Sequence, residues 1–211
     1  MRTVLVTGGT TRLGKAIADA LAQLGWRVLR TSHRPEAHAD LGADFSREGA
    51  AQALWAELSR RALLPLDALV NNAAVYVAAP ETVRRVNLLA PQALARLMAA
   101  QDLTPPPAVV NILDAALLGE ATPPCASAPY AETKRELAAW TRTAAKTFAG
   151  RLRLNAVAPG AVLAPVGIRE KAPHMPLGRP TCDDVARAVA FLLDARATTG
   201  AIIPVDGGIS L

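Results

Sequence analysis

Residues 2–14 read RTVLVTGGTTRLG, a short β-branched run, a glycine-bearing turn and the opening of a helix. After the turn, Leu13, Ala16, Ile17, Ala20, Leu21 and Leu24 recur at helical spacing. A turn of this kind, placed between a strand and a helix, offers unpaired backbone N–H groups and the positive helix end to an anion. Gly8 and Gly14 stand at its two ends, with Thr10 and Leu13 between them. Arg12 occupies the place where a further glycine would let the backbone approach a pyrophosphate.

The alternation continues along the chain. WRVLRTS (26–32) reads as a second strand and GADF (42–45) as a short third one, followed by a helix from Ala50 to Arg61. LDALVNNA (66–73), AVVNILD (108–114), LRLNAVA (152–158) and GAIIPVD (200–206) supply four more strands. Between them lie helices from about Glu81 to Ala100, from Tyr130 to Phe148, and over CDDVARAVAFLLD (182–194). Such alternation predicts an α/β fold, a doubly wound and mostly parallel seven-stranded sheet with helices on both faces. No repeat and no interdomain linker interrupts it, so residues 1–211 read as one domain.

Composition narrows the function classes. At 51% hydrophobic and 19% charged residues over 211 positions, the chain can bury a substantial core and is not disordered. Its apolar runs are too short to span a bilayer, and a strand-like start leaves no room for a signal peptide. Cys125 and Cys182 lie far apart, outside any metal-ligand spacing, and read as reduced thiols of a cytoplasmic protein. His33, His38 and His174 form no ligand set, so no metal is expected. The net charge of +5 suits anionic ligands, but the positive residues are scattered, which argues against nucleic acid.

In a doubly wound sheet, ligands bind beyond the carboxyl ends of the strands, where strand order reverses. The residues just past each strand are therefore the candidates: the glycine loop, Ser32 to Arg34, Asp44 and Phe45, Asn71 to Tyr76, Asp114, and Pro159 with Gly160. After the second strand comes TSHRP, with no carboxylate before Glu36 to hold a ribose 2′-hydroxyl. Arg34 can instead pair a 2′-phosphate, helped by Ser32 and His33, which points to NADP(H). YAETK (130–134) places Tyr130 and Lys134 on one helix face, where the lysine can stabilise a tyrosinate and lower the phenol's pKa. Asp114 ends the preceding strand and would project into the same crevice, unless it only caps a loop.

Taken in order, TGGTTRLG, ADF, VNNAA, VNLLAP, YAETK, VAPG and VDGG resemble the short-chain dehydrogenase/reductase family, and the likeness runs from Thr3 to Leu211. The resemblance implies a Rossmann-like domain with Gly8, Thr10, Arg12, Leu13 and Gly14 on the cofactor. It implies that Asn72 and Ala73, with Ala74 beside them, line the nicotinamide ribose, and that Pro159 and Gly160 flank the nicotinamide. Asp44 with Phe45 would border the adenine. Tyr130 and Lys134 would serve both catalysis and cofactor binding, and Asn87 would hold the lysine through water. A homo-oligomer, by analogy a tetramer, is implied as well, supported loosely by Ala- and Leu-rich helix faces and the apolar end ISL.

Two departures narrow the resemblance. Asp114 stands where the family has a serine that bonds a substrate carbonyl, and Arg12 stands where it has glycine. Both changes are similar to the pteridine reductase and dihydromonapterin reductase branch, as is SHR at 32–34. There Arg12 would reach the cofactor and a pterin ring, Tyr76 would sit over that ring, and Asp114 would join a proton relay with Tyr130 and Lys134. The alternatives are an NADPH-dependent carbonyl reductase acting on ketones or 3-oxoacyl compounds, and a non-catalytic NADP(H)-binding regulator. Tyr130 and Lys134 count against the regulator, which needs neither. The segment between Asn72 and Asn87 is short for the family, the link from Asp114 to Tyr130 is long, and the covering segment at 162–180 is short.

Overall fold

The computed structural model describes residues 1–34, 38–118, 127–163 and 175–211. Cys125, His174, Glu36, most of the covering segment and most of the link from Asp114 to Tyr130 lie outside the described residues. The strands are β1 (Thr3–Val6), β2 (Arg27–Ser32), β3 (Leu41–Gly42), β4 (Ala68–Asn71), β5 (Ala108–Ile112), β6 (Arg153–Pro159) and β7 (Ile202–Val205). They form one sheet in the order β3-β2-β1-β4-β5-β6-β7, with every neighbouring pair parallel. Strand order reverses between β1 and β4. The expected doubly wound seven-stranded fold is therefore present.

Side chains that alternate along a strand face opposite sides of the sheet, and here each side meets its own helices. Val4 and Val6 of β1 pack with Ile17 and Leu21 of α1 (Arg12–Gln23) and with Val185 and Val189 of α6 (Cys182–Asp194). Leu5, between them, joins Leu54 and Leu58 of α2 (Ala50–Arg60) and Leu94 and Met98 of α4 (Ala90–Ala99). The long helix α5 (Ala128–Thr147) covers the second face through Leu137, Ala138, Ala144 and Ala145. Each fully buried Leu or Val side chain contributes roughly 1.5–3 kcal/mol relative to exposure. Among the described residues, no helix is long and apolar enough to cross a membrane.

Both ends of α6 are stopped by side chains. Thr181 accepts the Asp184 N–H while the Asp184 carboxylate accepts the Thr181 N–H, a reciprocal capping box. At the other end the Arg153 guanidinium donates to the carbonyls of Leu192, Leu193 and Ala195 at 2.9, 2.6 and 2.8 Å. Those groups have no helical partner of their own.

Two elements differ from the sequence expectation. The third strand is Leu41–Gly42, not residues 42–45. Asp44 ends the pairing because its carboxylate accepts both the N–H and the hydroxyl of Ser46, turning the chain at 2.6–3.1 Å. The helix expected from Glu81 to Ala100 is broken into α3 (Pro80–Arg84), a π-helical turn (Arg85–Leu89) and α4. Within that turn Ala90 donates to the Arg85 carbonyl, one residue beyond the α-helical partner. Pro91 has no N–H, so it cannot return the usual bond to the Asn87 carbonyl.

The glycine loop closes against the end of β4 so tightly that Gly14 has no room for a side chain. A methyl there would overlap the Gly8 carbonyl oxygen and the Asn72 side-chain nitrogen. Gly14→Ala is expected to lower stability by about 1–3 kcal/mol, the usual cost of overpacking. It should also disable the loop for a phosphate, read by denaturant unfolding and dinucleotide titration on the same sample.

Candidate active site

The carboxyl ends of β1, β2 and β4 are tied together by threonine hydroxyls. Thr7, directly after β1, donates to the Val70 carbonyl at 3.3 Å and accepts the N–H groups of Asn72 and Ala73, each at 3.0 Å. The Asn72 amide returns two bonds, to the carbonyls of Thr7 and Gly8 at 3.0 and 3.2 Å. Thr31 of β2 accepts the Gly8 N–H through its hydroxyl at 3.3 Å and the Gly9 N–H through its carbonyl at 3.2 Å. Sequence reasoning did not single out Thr7 or Thr31. Their positions beside the loop were visible, but not their partners.

Over this floor lies a crevice of about 590 Å³. Gly8, Thr10, Arg12, Leu13 and Gly14 line it, as do Ser32, His33, Arg34, Asp44, Phe45, Asn72, Ala73 and Ala74. Arg12 holds φ at 50°, the left-handed region that disfavours any residue with a Cβ. The backbone shape suited to glycine is thus kept with an arginine in its place, a local strain of the kind that gathers at functional sites. Ser32 is buried, and its hydroxyl accepts the Arg34 N–H at 3.0 Å, fixing the start of the arginine at the crevice rim. The Ser32 proton remains available to an anion. The Ser46 hydroxyl, the first of several contacts, holds the Asp44 carboxyl below its ordinary pKa.

Pro159 and Gly160 end β6 away from this lining, Gly160 being held to β7 by its N–H on the Val205 carbonyl at 2.9 Å. Their backbone is crowded: a Cβ on Gly160 would strike the Asp206 backbone.

Three chemically active side chains meet beyond the end of β5. Asp114 uses one carboxylate oxygen to cap the 3₁₀ turn Ala115–Leu117, accepting the Ala116 N–H at 3.1 Å. Its other oxygen accepts the Tyr130 hydroxyl at 3.0 Å. Tyr130 is only 9% exposed, and Tyr76 packs on it with ring centroids 4.6 Å apart and the planes at 52°. Lys134, one helical turn along α5 and 5% exposed, donates to the Ile112 carbonyl at 2.8 Å. Its ammonium lies 5.7 Å from the Tyr130 ring centre.

The electrostatics correct one expectation. The Tyr130 pKa is not lowered in this arrangement: burial, and then the Asp114 charge, push it well above its usual 10.0. Burial also pushes the Lys134 ammonium down from 10.5 to about 8, against a smaller upward pull from Asp114. Two groups thus hold protons at neutral pH, the lysine weakly for its type.

Asn87, in the π-helical turn, is buried. Both ends of its amide are taken by the Val75 backbone, Oδ1 accepting the N–H and Nδ2 donating to the carbonyl, each at 2.8 Å. The side chain therefore anchors the loop that carries Tyr76. Among the described residues no group of His, Cys, Asp and Glu side chains gathers as a metal site.

Lys134 generates a pH-dependent stability. The native state disfavours its charged form, so stability from this group is fully present above about 10.5, falls as pH drops, and levels off below about 8. Lys134→Met removes the penalty at every pH. Its stability relative to the unsubstituted protein should be greatest at pH 7, by up to about 3 kcal/mol, and should shrink between pH 8 and 10.5. Denaturant midpoints across that range check the slope; a pH-independent difference would contradict it.

The family model for Enoyl-(Acyl carrier protein) reductase matches residues 10–210. The chain is 31% identical to Protein FixR of Bradyrhizobium diazoefficiens, over 98% of this chain and 86% of that protein. It is 30% identical to carbonyl reductase family member 4 of Danio rerio, over 100% of this chain and 98% of that one. The crystal structure of FolM Alternative dihydrofolate reductase 1 from Brucella suis, in complex with NADP, is similar at a TM-score of 0.82 and 28% identity, over 99% of this chain and 95% of that one. With that match along nearly the whole chain, and the glycine loop and the Tyr130–Lys134 pair in the fold that the motifs require, the chain belongs to the short-chain dehydrogenase/reductase family of NAD(P)-dependent oxidoreductases.

Proposed function

We propose that this protein is an NADPH-dependent reductase that acts on the C=N bond of a dihydropterin-type heterocycle. The observation that carries the reading is the 3.0 Å hydrogen bond from Tyr130 to Asp114, in a place where the family has a neutral serine hydroxyl. FolM, an alternative dihydrofolate reductase by name and similar over 95% of its chain, supports the same substrate class.

The residues fit the cofactor. Gly8 at φ 62° and the Cβ-free Gly14 leave the loop backbone open to a pyrophosphate. Arg34, with Ser32 and His33 at the rim, meets a 2′-phosphate. Bound there, NADPH would supply a hydride for the carbon of the C=N bond. Tyr130 gives its proton to the nitrogen. The resulting tyrosinate is offset by the Lys134 ammonium and recovers a proton through Asp114 from solvent. Asp114 also offers a charged acceptor to the amino and ring N–H donors of a pterin edge, while the Tyr76 ring provides an aromatic face for its plane.

The second reading is a carbonyl reductase on ketones or 3-oxoacyl compounds, favoured by the similarity to carbonyl reductase family member 4. A carboxylate beside a carbonyl oxygen repels its lone pairs, which weighs against it. A homo-oligomer belongs to the same proposal, and Leu89 and Phe191 leave apolar side chains exposed for contact.

Asp114→Ser separates the two readings. With a dihydropterin, kcat/KM should fall by about 10²–10⁴, the usual loss of an acid–base participant. With a ketone, it should hold or rise. Undiminished dihydropterin reduction by the variant removes the pterin reading. For the cofactor, Arg34→Ala should weaken NADPH by about 1.5–3 kcal/mol and leave NADH nearly unchanged. Calorimetric titration of both dinucleotides tests this, and equal affinities in the unsubstituted protein would sink it.

A further inference from the structure

The loop after β4 connects the π-helical turn to the catalytic tyrosine through an unbroken series of contacts. Asn87 grips the Val75 backbone from both sides at 2.8 Å. Tyr76, the next residue, lays its ring 4.6 Å from that of Tyr130. The Tyr76 carbonyl accepts the hydroxyl of Ser127, at the N-terminus of α5, at 3.1 Å. Val83, Leu117, Tyr130 and Ala131 form a small buried cluster of their own, and Val75 and Tyr76 are its partly buried cover.

We propose that Tyr76 is a positioning residue for Tyr130: its ring holds the phenol against Asp114 and shields it from water, and Asn87 sets that ring in place by clamping Val75. The proposal rests on the reading of Tyr130 as the proton donor and assigns the loop a task inside that site. A phenol has one rotatable oxygen and a ring free to swing about the Cα–Cβ bond. Leu117, Ala131 and the Tyr76 ring belong to the cluster that packs Tyr130, and within that packing its hydroxyl meets Asp114. Among the described residues, the charged and titratable groups that face Tyr130 are Asp114 from the 3₁₀ turn, Lys134 from α5 and Tyr76 from the loop. Arg84 of α3 is occupied with Glu136 of α5 at 3.0 Å. Removing the Tyr76 ring admits water to the phenol while leaving Asp114 and Lys134 in the chain. Tyr130 should then lose its proton more readily and hold its rotamer less well.

The chain contains two tyrosines, so any substitution of Tyr76 leaves Tyr130 as the sole tyrosine. Its ionisation can be followed directly by the tyrosinate absorption band, with the Tyr76→Phe/Tyr130→Phe protein as blank and far-ultraviolet circular dichroism to confirm folding at each pH. In Tyr76→Phe, which keeps the ring, Tyr130 should ionise well above pH 10. In Tyr76→Ala it should ionise about one pH unit lower or more, a tenfold loss of proton affinity. Tyr76→Leu serves if the alanine variant unfolds, since it fills part of the space without a ring face. Adding Asn87→Ala to Tyr76→Phe should lower the midpoint in the same direction. Coincident Tyr130 midpoints in the Phe and Ala (or Leu) variants overturn the proposal. The titration needs neither cofactor nor substrate, so its failure is separate from failure of the pterin reading. In the enzyme, the same loss should appear as a fall in kcat with KM for NADPH unchanged.

Discussion

The hydroxyl of Thr7 joins the two halves of the sheet at the place where strand order reverses. It donates to Val70 and accepts the N–H groups of Asn72 and Ala73, so one oxygen fixes the end of β1 to the chain leaving β4. Two successive N–H groups at a strand end are costly to bury without partners. Thr7 satisfies them and frees the Asn72 side chain to hold the glycine loop from below. The crevice between the halves depends on this arrangement, because Gly8, Asn72 and Ala73, which it holds in place, line it. Gly14 depends on it too: with Asn72 drawn against Gly8, no side chain fits above them.

Charge at the other end of the site is arranged by division of labour within single residues. Asp114 spends one oxygen on its own 3₁₀ turn and presents the other to Tyr130. A carboxylate fixed at one oxygen cannot rotate away, so the phenol meets an acceptor of fixed position. Lys134 is sealed beneath, its ammonium on the Ile112 carbonyl. Burial raises the tyrosine's hold on its proton and weakens the lysine's, so two groups of nearly equal proton affinity in water are driven apart, the lysine becoming the weaker holder.

The segment between Asn72 and Asn87 ends in a change of helix type. α3 has little more than one turn, and a π-helical turn follows it before α4 begins. Such turns widen the backbone locally and recur at functional sites. Here the widened turn carries Asn87, which it presents to Val75. The loop that carries Tyr76 is thereby fixed against α5.

The strand and helix pattern was legible along the chain because it is a local property. Apolar residues at periods of two and 3.6 identify β1, α1, β4, β5, α5, β6 and α6 without reference to partners. The glycine loop was legible for the same reason, since Gly8 and Gly14 answer to backbone shape at their own positions. The residues around the crevice followed from one rule about strand ends, and those from the loop, β2, β3 and β4 do line it. What the pattern missed was a matter of competition between nearby groups. Asp44 took the Ser46 N–H and ended β3 early, and Pro91 withdrew a donor and let the helix around Asn87 loosen into a π turn. Partner choice within the site lay further out of reach. That Asn87 would grip Val75, that Tyr76 would pack on Tyr130, and that Tyr130 would hold its proton tightly all depend on atoms distant in the chain and on burial. Sequence alone determined which residues stand at the strand ends, because periodicity and turn chemistry act over a few positions. The tertiary structure decided which of them touch and how firmly each keeps its proton, because hydrogen-bond partners and desolvation exist only once the chain has closed around them.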